Sequence, residues 1–440
     1  MIGINRNSII QIVKIYITAV LGLLILTGQA HAIPSEQWNK TFGGAGRDVF
    51  KSVVQTEDGG FILAGSTASN LNSLSDLSLT KVDANGNLEW NKTFLGHIVA
   101  YSVRETKDGG YVIAGETDLD ARMIKTDESG NEQWNKTFGG KGVERAFFAW
   151  QSQDGSYILG GPTTSYGTGH AVAWLIKTDA GGNETWNKTF GGTQDGAAIF
   201  ALQTSDGGYV LAGSISSFND EKTDMVRSSR PTDAWLIRTD ANGNELWNRS
   251  FGGKESESFS TVVQESDGGF LISGTTNSFG AGSQDCWVVR TDPDGNEQWN
   301  RTFGGKDSKY ACIIKKASDG GYILAGSTGS YGAGELDAWL LKIDASGNEQ
   351  WNRTFSGKYA ESVYSFDTTT DGGYILAGAV YGDPFPNDDA LLIKVTGESI
   401  NGSASDGKST ASSGKSVPGF EIYLTVFSLV ILSISQKLRR

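Results

Sequence analysis

Histidine, cysteine and methionine are scarce in this 440-residue chain, with three, two and three copies, and proline occurs only seven times. His31 falls in the N-terminal leader, which leaves His97 and His170 in separate parts of the body without a recurring partner. A histidine-built metal centre or nucleophilic triad therefore has no visible constellation. Cys286 and Cys312 allow at most one internal bridge and no zinc cluster. Positive charge is also short, at 37 basic against 50 acidic residues, for a net charge of -13. Such a field repels nucleic acid and anionic head groups, so no nucleic-acid partner is expected. Between the two ends no stretch keeps a helical hydrophobic period, which sets α-solenoids aside.

The ends are specialised. Residues 1–32 carry Arg6 and Lys14, an apolar run from Ile15 to Leu26, and Ala30-His31-Ala32 before Ile33-Pro34. That is the basic, apolar, small-residue order of a secretory signal peptide. The run is shorter than the roughly 20 residues that span a hydrocarbon layer, which favours cleavage after Ala32 over an uncleaved anchor. Residues 397–417 read as a flexible Ser/Gly/Thr-rich stalk. Pro418-Gly419-Phe420 then leads into a short apolar segment, Ile422 to Ile434, and a basic terminus of Lys437, Arg439 and Arg440. Residues 418–440 resemble the archaeal PGF-CTERM sorting signal. The resemblance implies an archaeosortase-like processing enzyme that removes the tail and leaves a lipid anchor. An ordinary tail anchor is the alternative, and either one holds the body at the cell surface, on an archaeal envelope if the resemblance holds.

The body is a repeat. Trp-Asn recurs at Trp38, Trp90, Trp134, Trp186, Trp247, Trp299 and Trp351, and seven units fill residues 37 to 395. Each unit reads as four short strands separated by an Asp-Gly turn, a variable loop and an Asn-Gly-Asn-type hairpin. Four strands per roughly 50 residues is the β-propeller pattern. The expected fold is an all-β, seven-bladed β-propeller with four antiparallel strands per blade, occupying residues 33–396. Seven Trp-Asn strands meet only six Asp-x-x-Gly-Asn hairpins. Gln37 to Phe42 should therefore pair with Ala390 to Val395 and close the last blade, removing two open edges.

The motif Asp-x-x-Gly-Asn-Glu-x-Trp, as in Asp292 to Trp299, resembles the tryptophan-docking repeat of quinoprotein (PQQ-like) propellers. There the outer-strand tryptophan packs on the neighbouring blade, a role the resemblance would give to the seven repeat tryptophans here. Many of those enzymes also carry a vicinal cysteine pair, which this chain lacks, so no cofactor follows from the motif. The recurring strand glycines, Gly65, Gly115, Gly161, Gly213, Gly274, Gly326 and Gly378, suggest close approach between packed blades. On the repeat alignment the two cysteines fall on different strand layers of adjacent blades, where a bridge or two free thiols are both open.

Candidate sites follow from the topology. The inner-strand and variable loops share one face, where Tyr166, Phe218, Phe279, Tyr331 and Tyr381 sit amid glycines. They are candidates for ligand contact, or they pin their own loops. Asp48, Glu144, Asp195, Glu257 and Glu361 begin inner strands and would approach the channel mouth, where a carboxylate ring could hold Ca²⁺. The pattern breaks at Ile98 and Lys309. Every Trp-Asn strand is also an acceptor sequon, giving glycosylation candidates Asn39, Asn91, Asn135, Asn187, Asn248, Asn300 and Asn352, with Asn183 and Asn401 besides. The polar face of a duplicated edge strand explains the same residues. The reading that fits best is a non-catalytic binding or adhesion module for an extracellular protein, glycan or envelope component. The alternatives are a polysaccharide-directed enzyme using Asp48, Glu144 or Glu257, and a purely structural envelope component.

Overall fold

A computed structural model describes residues 33–398, apart from 45, 69–74, 168–169, 193, 217–230, 308, 333–334, 356, 358 and 383–387. The leader and the sorting-signal residues Pro418, Gly419 and Phe420 lie outside the described residues, as do Phe218 and Asn401. Among the described residues twenty-eight strands, β1 to β28 in chain order, form seven four-stranded antiparallel sheets. Blade 1 is β2 (Asp48–Gln55), β3 (Phe61–Thr67), β4 (Asp76–Val82) and β5 (Leu88–Phe94), and blades 2 to 6 repeat it. Blade 7 combines β26 (Ala360–Thr368), β27 (Tyr374–Tyr381) and β28 (Asp388–Val395) with β1 (Glu36–Phe42). The chain is an all-β, seven-bladed propeller.

Closure joins the expected segments, and in it Phe42 faces Ala390, Asn39 faces Ile393 and Glu36 faces Val395. Beyond the strands, the Thr396 amide donates to the Ser35 carbonyl at 2.9 Å. The apolar cores lie between blades, not within them. The core at the closing junction joins Phe50, Phe61 and Leu63 of blade 1 to Ile375, Ala377 and Leu392 of blade 7. That location explains the strand patterns. β3 is buried on both faces because a blade packs on each side of it, whereas β1 is an exposed edge strand whose half-buried anchor is Trp38.

Each repeat tryptophan docks on the following blade. Trp186 packs edge-on against Tyr209 at 6.1 Å between ring centroids, and Trp38, Trp90, Trp134 and Trp247 repeat the contact with Phe61, Tyr111, Tyr157 and Phe270. The ring end is covered by the hairpin glycine of that next blade. At Gly243 φ is +74°, and a Cβ there would lie 2.8 Å from the Trp186 ring. Trp351 faces blade 7, which has no such hairpin. Glu398 takes its place, accepting from the Trp351 indole at 3.0 Å and from the buried Lys342 ammonium at 2.7 Å.

The strand glycines act differently from the expectation. A Cβ at Gly65 would lie 1.8 Å from the Val49 carbonyl oxygen of the adjoining strand in the same blade, and Gly213, Gly274 and Gly378 meet their inner strands likewise. The close approach is within a blade, where a β-bulge between Phe50 and Ser52 folds the inner strand onto Gly65. Cys286 and Cys312 form a disulfide, with Cα atoms 5.4 Å apart, joining the third strand of blade 5 to the inner strand of blade 6. Both residues are buried.

Candidate functional site: the loop face and the central channel

Two families of polar turns fasten the face opposite the variable loops. In the Asp-Gly turns, a third-strand cation reaches back to the turn aspartate in all seven blades: Lys81 to Asp58 at 2.7 Å, and the same from Lys125, Lys177, Arg238, Arg290, Lys342 and Lys394. Burial works against the Asp58 charge, but hydrogen bonds from Lys81, Thr56 and the Gly60 amide outweigh it and draw its pKa down to about 2. In the Asp-x-x-Gly-Asn hairpins, Asp292 accepts from the Asp294 and Asn296 amides and from the Asn296 side chain. These aspartates are spent on turn geometry and are not arranged as calcium loops.

The variable-loop face carries the exposed apolar surface. Among the described residues nine large apolar side chains are exposed, and six of them, Leu95, Leu119, Tyr166, Phe279, Tyr310 and Tyr331, lie at this face. Leu95 is 78% exposed, and its loop meets that of Leu119 through a hydrogen bond from Thr117 Oγ1 to the Gly96 carbonyl. The aromatics have a structural share as well. Tyr166 packs at a tilt against buried Trp174 and donates to the Gly139 carbonyl, Phe279 packs likewise against Trp287, and Tyr331 donates to the Gly304 carbonyl. Tyr381 is not on a loop: it ends β27, with its hydroxyl 2.8 Å from that of Tyr364.

The inner-strand acids are spent at separate blade junctions. Glu144 is fully buried and accepts from the amides of Gly140, Thr164 and Ser165 and from the Thr163 hydroxyl. Glu257 accepts from the Gly253 and Ser278 amides and the Thr276 hydroxyl. Asp48, Asp195 and Glu361 accept from the amides of Gly44, Ala171 and Gly357. Among the described residues no group of three or more His, Cys, Asp or Glu side chains is gathered as a metal ion requires. Burial raises the Glu144 pKa, yet its amide and hydroxyl donors prevail and lower it, which suits a loop tie and not a general acid. Glu361 differs. Burial, with the neighbouring charges of Asp337 and Glu36 and against the Gly357 amide, pushes it up to about 7. His170 lies 3.4 Å from Asp195 in an exposed pair.

The sequon asparagines stand on the outer strands, exposed or half-buried. Asn39, Asn248 and Asn300 each donate to the glutamate three residues earlier, at 2.6, 2.5 and 2.6 Å. Asn91 instead accepts from Ser78.

Sequence reasoning expected a central channel but missed the residues that line it. In five inner strands a bulge turns its extra residue into the channel: Lys51, Tyr101, Ile199, Ser260 and Tyr364 line a cavity of 730 Å³ together with Arg104, Trp150, Lys315 and Asp367. The repeat itself supplied no signal, because these positions are the ones at which the seven copies differ.

No family model matches the chain. Regulatory protein FlaEY of Caulobacter vibrioides is 26% identical over 227 residues, 46% of this chain and 24% of that protein. The chain thus spans about a quarter of the length of this curated relative. Among solved structures, the WD40 repeats of RRP9 superpose with a TM-score of 0.52 at 9% identity, covering 83% of this chain and 99% of that one. A COPII outer-coat vertex chain gives 0.52 at 11%, covering 86% and 95%. Chaetomium thermophilum Raptor gives 0.50 at 11%, covering 83% and 30%. At such identities the likeness concerns the propeller fold alone.

Proposed function

We propose that this chain is an exported, surface-held, non-catalytic binding module that captures an extracellular protein, glycan or envelope component through its variable-loop face. The observation that carries the reading is the clustering of six of the nine exposed large apolar side chains on that face. Variable loops on a rigid scaffold are the usual place for recognition. The buried disulfide fits an oxidising compartment. The signal-like leader and the PGF-CTERM-like tail support a C-terminally anchored archaeal surface protein, and the outer-strand sequons support a glycosylated one. A docking-repeat kinship with quinoprotein propellers fits the tryptophan packing and brings no redox role with it.

The test is a protein and glycan array probed with residues 33–398, with and without a calcium chelator. Retention of a partner by the wild type and its loss in the Leu95→Ser/Leu119→Ser variant supports the reading. No retained partner, or retention by both proteins alike, counts against the loop face. Loss on chelation would add Ca²⁺ to the site.

A further inference from the structure

The channel is divided. On one side stand Lys51, Tyr101, Arg104, Lys315, Tyr364 and Asp367, and on the other Phe147, Trp150, Ile199 and Leu202. With Lys316, which turns to Glu265 at 3.1 Å, four cations thus line the channel with one carboxylate, inside a chain whose net charge is -13. Asp367 is already engaged, accepting from Lys315, from the Thr368 amide at 2.9 Å and from the Gln55 amide at 3.3 Å. Among the described residues, no carboxylate lies within ion-pair distance of Lys51 or Arg104. The Lys51 ammonium lies 3.3 Å over the Tyr364 ring, and Arg104 donates to the Val103 carbonyl. Asp367 acts on Arg104 from a distance and no charge offsets the burial of Lys51; burying cations without a close counter-charge costs free energy, and an anion in the channel would remove that cost. In keeping with this, burial alone draws the Lys51 pKa down to about 8.

The apolar side constrains the rest of the ligand. Trp150 stacks on Phe148, and Phe147 meets Tyr101 edge-to-face at 4.8 Å, where the two halves of the channel join. A cavity of 730 Å³ is within the range of small-molecule sites, roughly 300–1,000 Å³. A bare inorganic anion would leave the aromatic wall unused, and a neutral hydrocarbon would leave the cations unpaired.

We propose that the central channel binds one small amphiphilic anion, a carboxylate on an aromatic or branched apolar body, with the carboxylate at Lys51 and Arg104 and the body against Phe147, Trp150 and Leu202. This site is separate from the loop face and does not depend on it. Equilibrium dialysis of the full-length protein against 2-naphthoate and its neutral analogue 2-naphthamide tests it. One saturable site is expected, with the acid bound at least tenfold more tightly than the amide. Lys51→Met should weaken the acid at least tenfold and leave the amide unchanged, while Leu95→Ser/Leu119→Ser leaves both unchanged. Equal binding of acid and amide, no saturable binding, or a folded Lys51→Met protein with wild-type affinity would overturn it. Should that variant not fold, the acid-to-amide ratio in the wild type decides.

Discussion

If the tryptophans hold neighbouring blades together, a methyl group placed over one of them should cost more than the same methyl group on a bare turn. Gly243 and Gly207 form that comparison in one blade. Both have positive φ, +74° and +86°, but a Cβ at Gly243 would lie 2.8 Å from the Trp186 ring, whereas at Gly207 the nearest atom is the Ala241 Cβ at 3.8 Å. Alanine in the left-handed region costs about 1–2 kcal/mol at either site. Overpacking against a fixed ring adds about 1–3 kcal/mol at Gly243 only. Gly243→Ala should therefore lose about 2–5 kcal/mol and Gly207→Ala about 1–2. Urea unfolding followed by circular dichroism gives the two values. Adding Trp186→Ala removes the obstructing ring, so in that background the Gly243→Ala penalty should fall to that of Gly207→Ala. Equal losses in the single variants, or strict additivity in the double, would refute tryptophan docking as a source of cohesion between blades.

Replacing Cys286 and Cys312 by alanine opens a link 26 residues apart in sequence and should cost about 3 kcal/mol, read from the shift in urea midpoint. Because both cysteines are buried, a reductant should release thiols to a labelling reagent only after unfolding. The turn aspartates Asp58, Asp154 and Asp371 are each depressed to about 2, so their stabilisation is complete above the unfolded value near pH 4. It should fade as pH falls from there to about 2, which an acid titration of thermal stability would register. Glu361 has the opposite sign: raised to about 7, it holds its proton in the folded state, and stability should decline as pH rises from about 4.5 to 7. Glu361→Gln should flatten that limb. Deleting residues 33–42 removes β1 and exposes the edge of β28, which size-exclusion chromatography should register as self-association.

The fold was legible because duplication repeats its causes. Seven Trp-Asn strands and six hairpins stated the blade count and the closing pair together, and the structure adds the register, with Phe42 opposite Ala390. The strand glycines were legible as close contacts but not as to partner, since the sequence does not show that the bulge between Phe50 and Ser52 brings the inner strand of the same blade over Gly65. The acids were visible as a series, yet whether a carboxylate points into a channel or back onto amides depends on loops whose backbone the sequence does not specify. Glu144, with three amides and a hydroxyl around it, is indistinguishable in sequence from Glu361, which has one amide and a raised pKa.

The channel lining escaped for the opposite reason. Duplication copies what the blades need, namely the docking tryptophan, the turn aspartate with its cation and, in all but the closing blade, the hairpin. Residues at the bulge face the channel and not the apolar cores between blades, so they are released from that requirement. Lys51, Tyr101, Ile199, Ser260 and Tyr364 share one structural position but range from a cation through two tyrosines to an aliphatic and a small polar side chain. Structural constraint therefore falls away along the axis, and departures from the repeat there are where this propeller has room to be specific. The same logic applies at the loop face, where the connection lengths differ. The blade number and the site consequently come from complementary parts of one alignment: the positions that agree build the ring, and those that disagree line its centre and its rim.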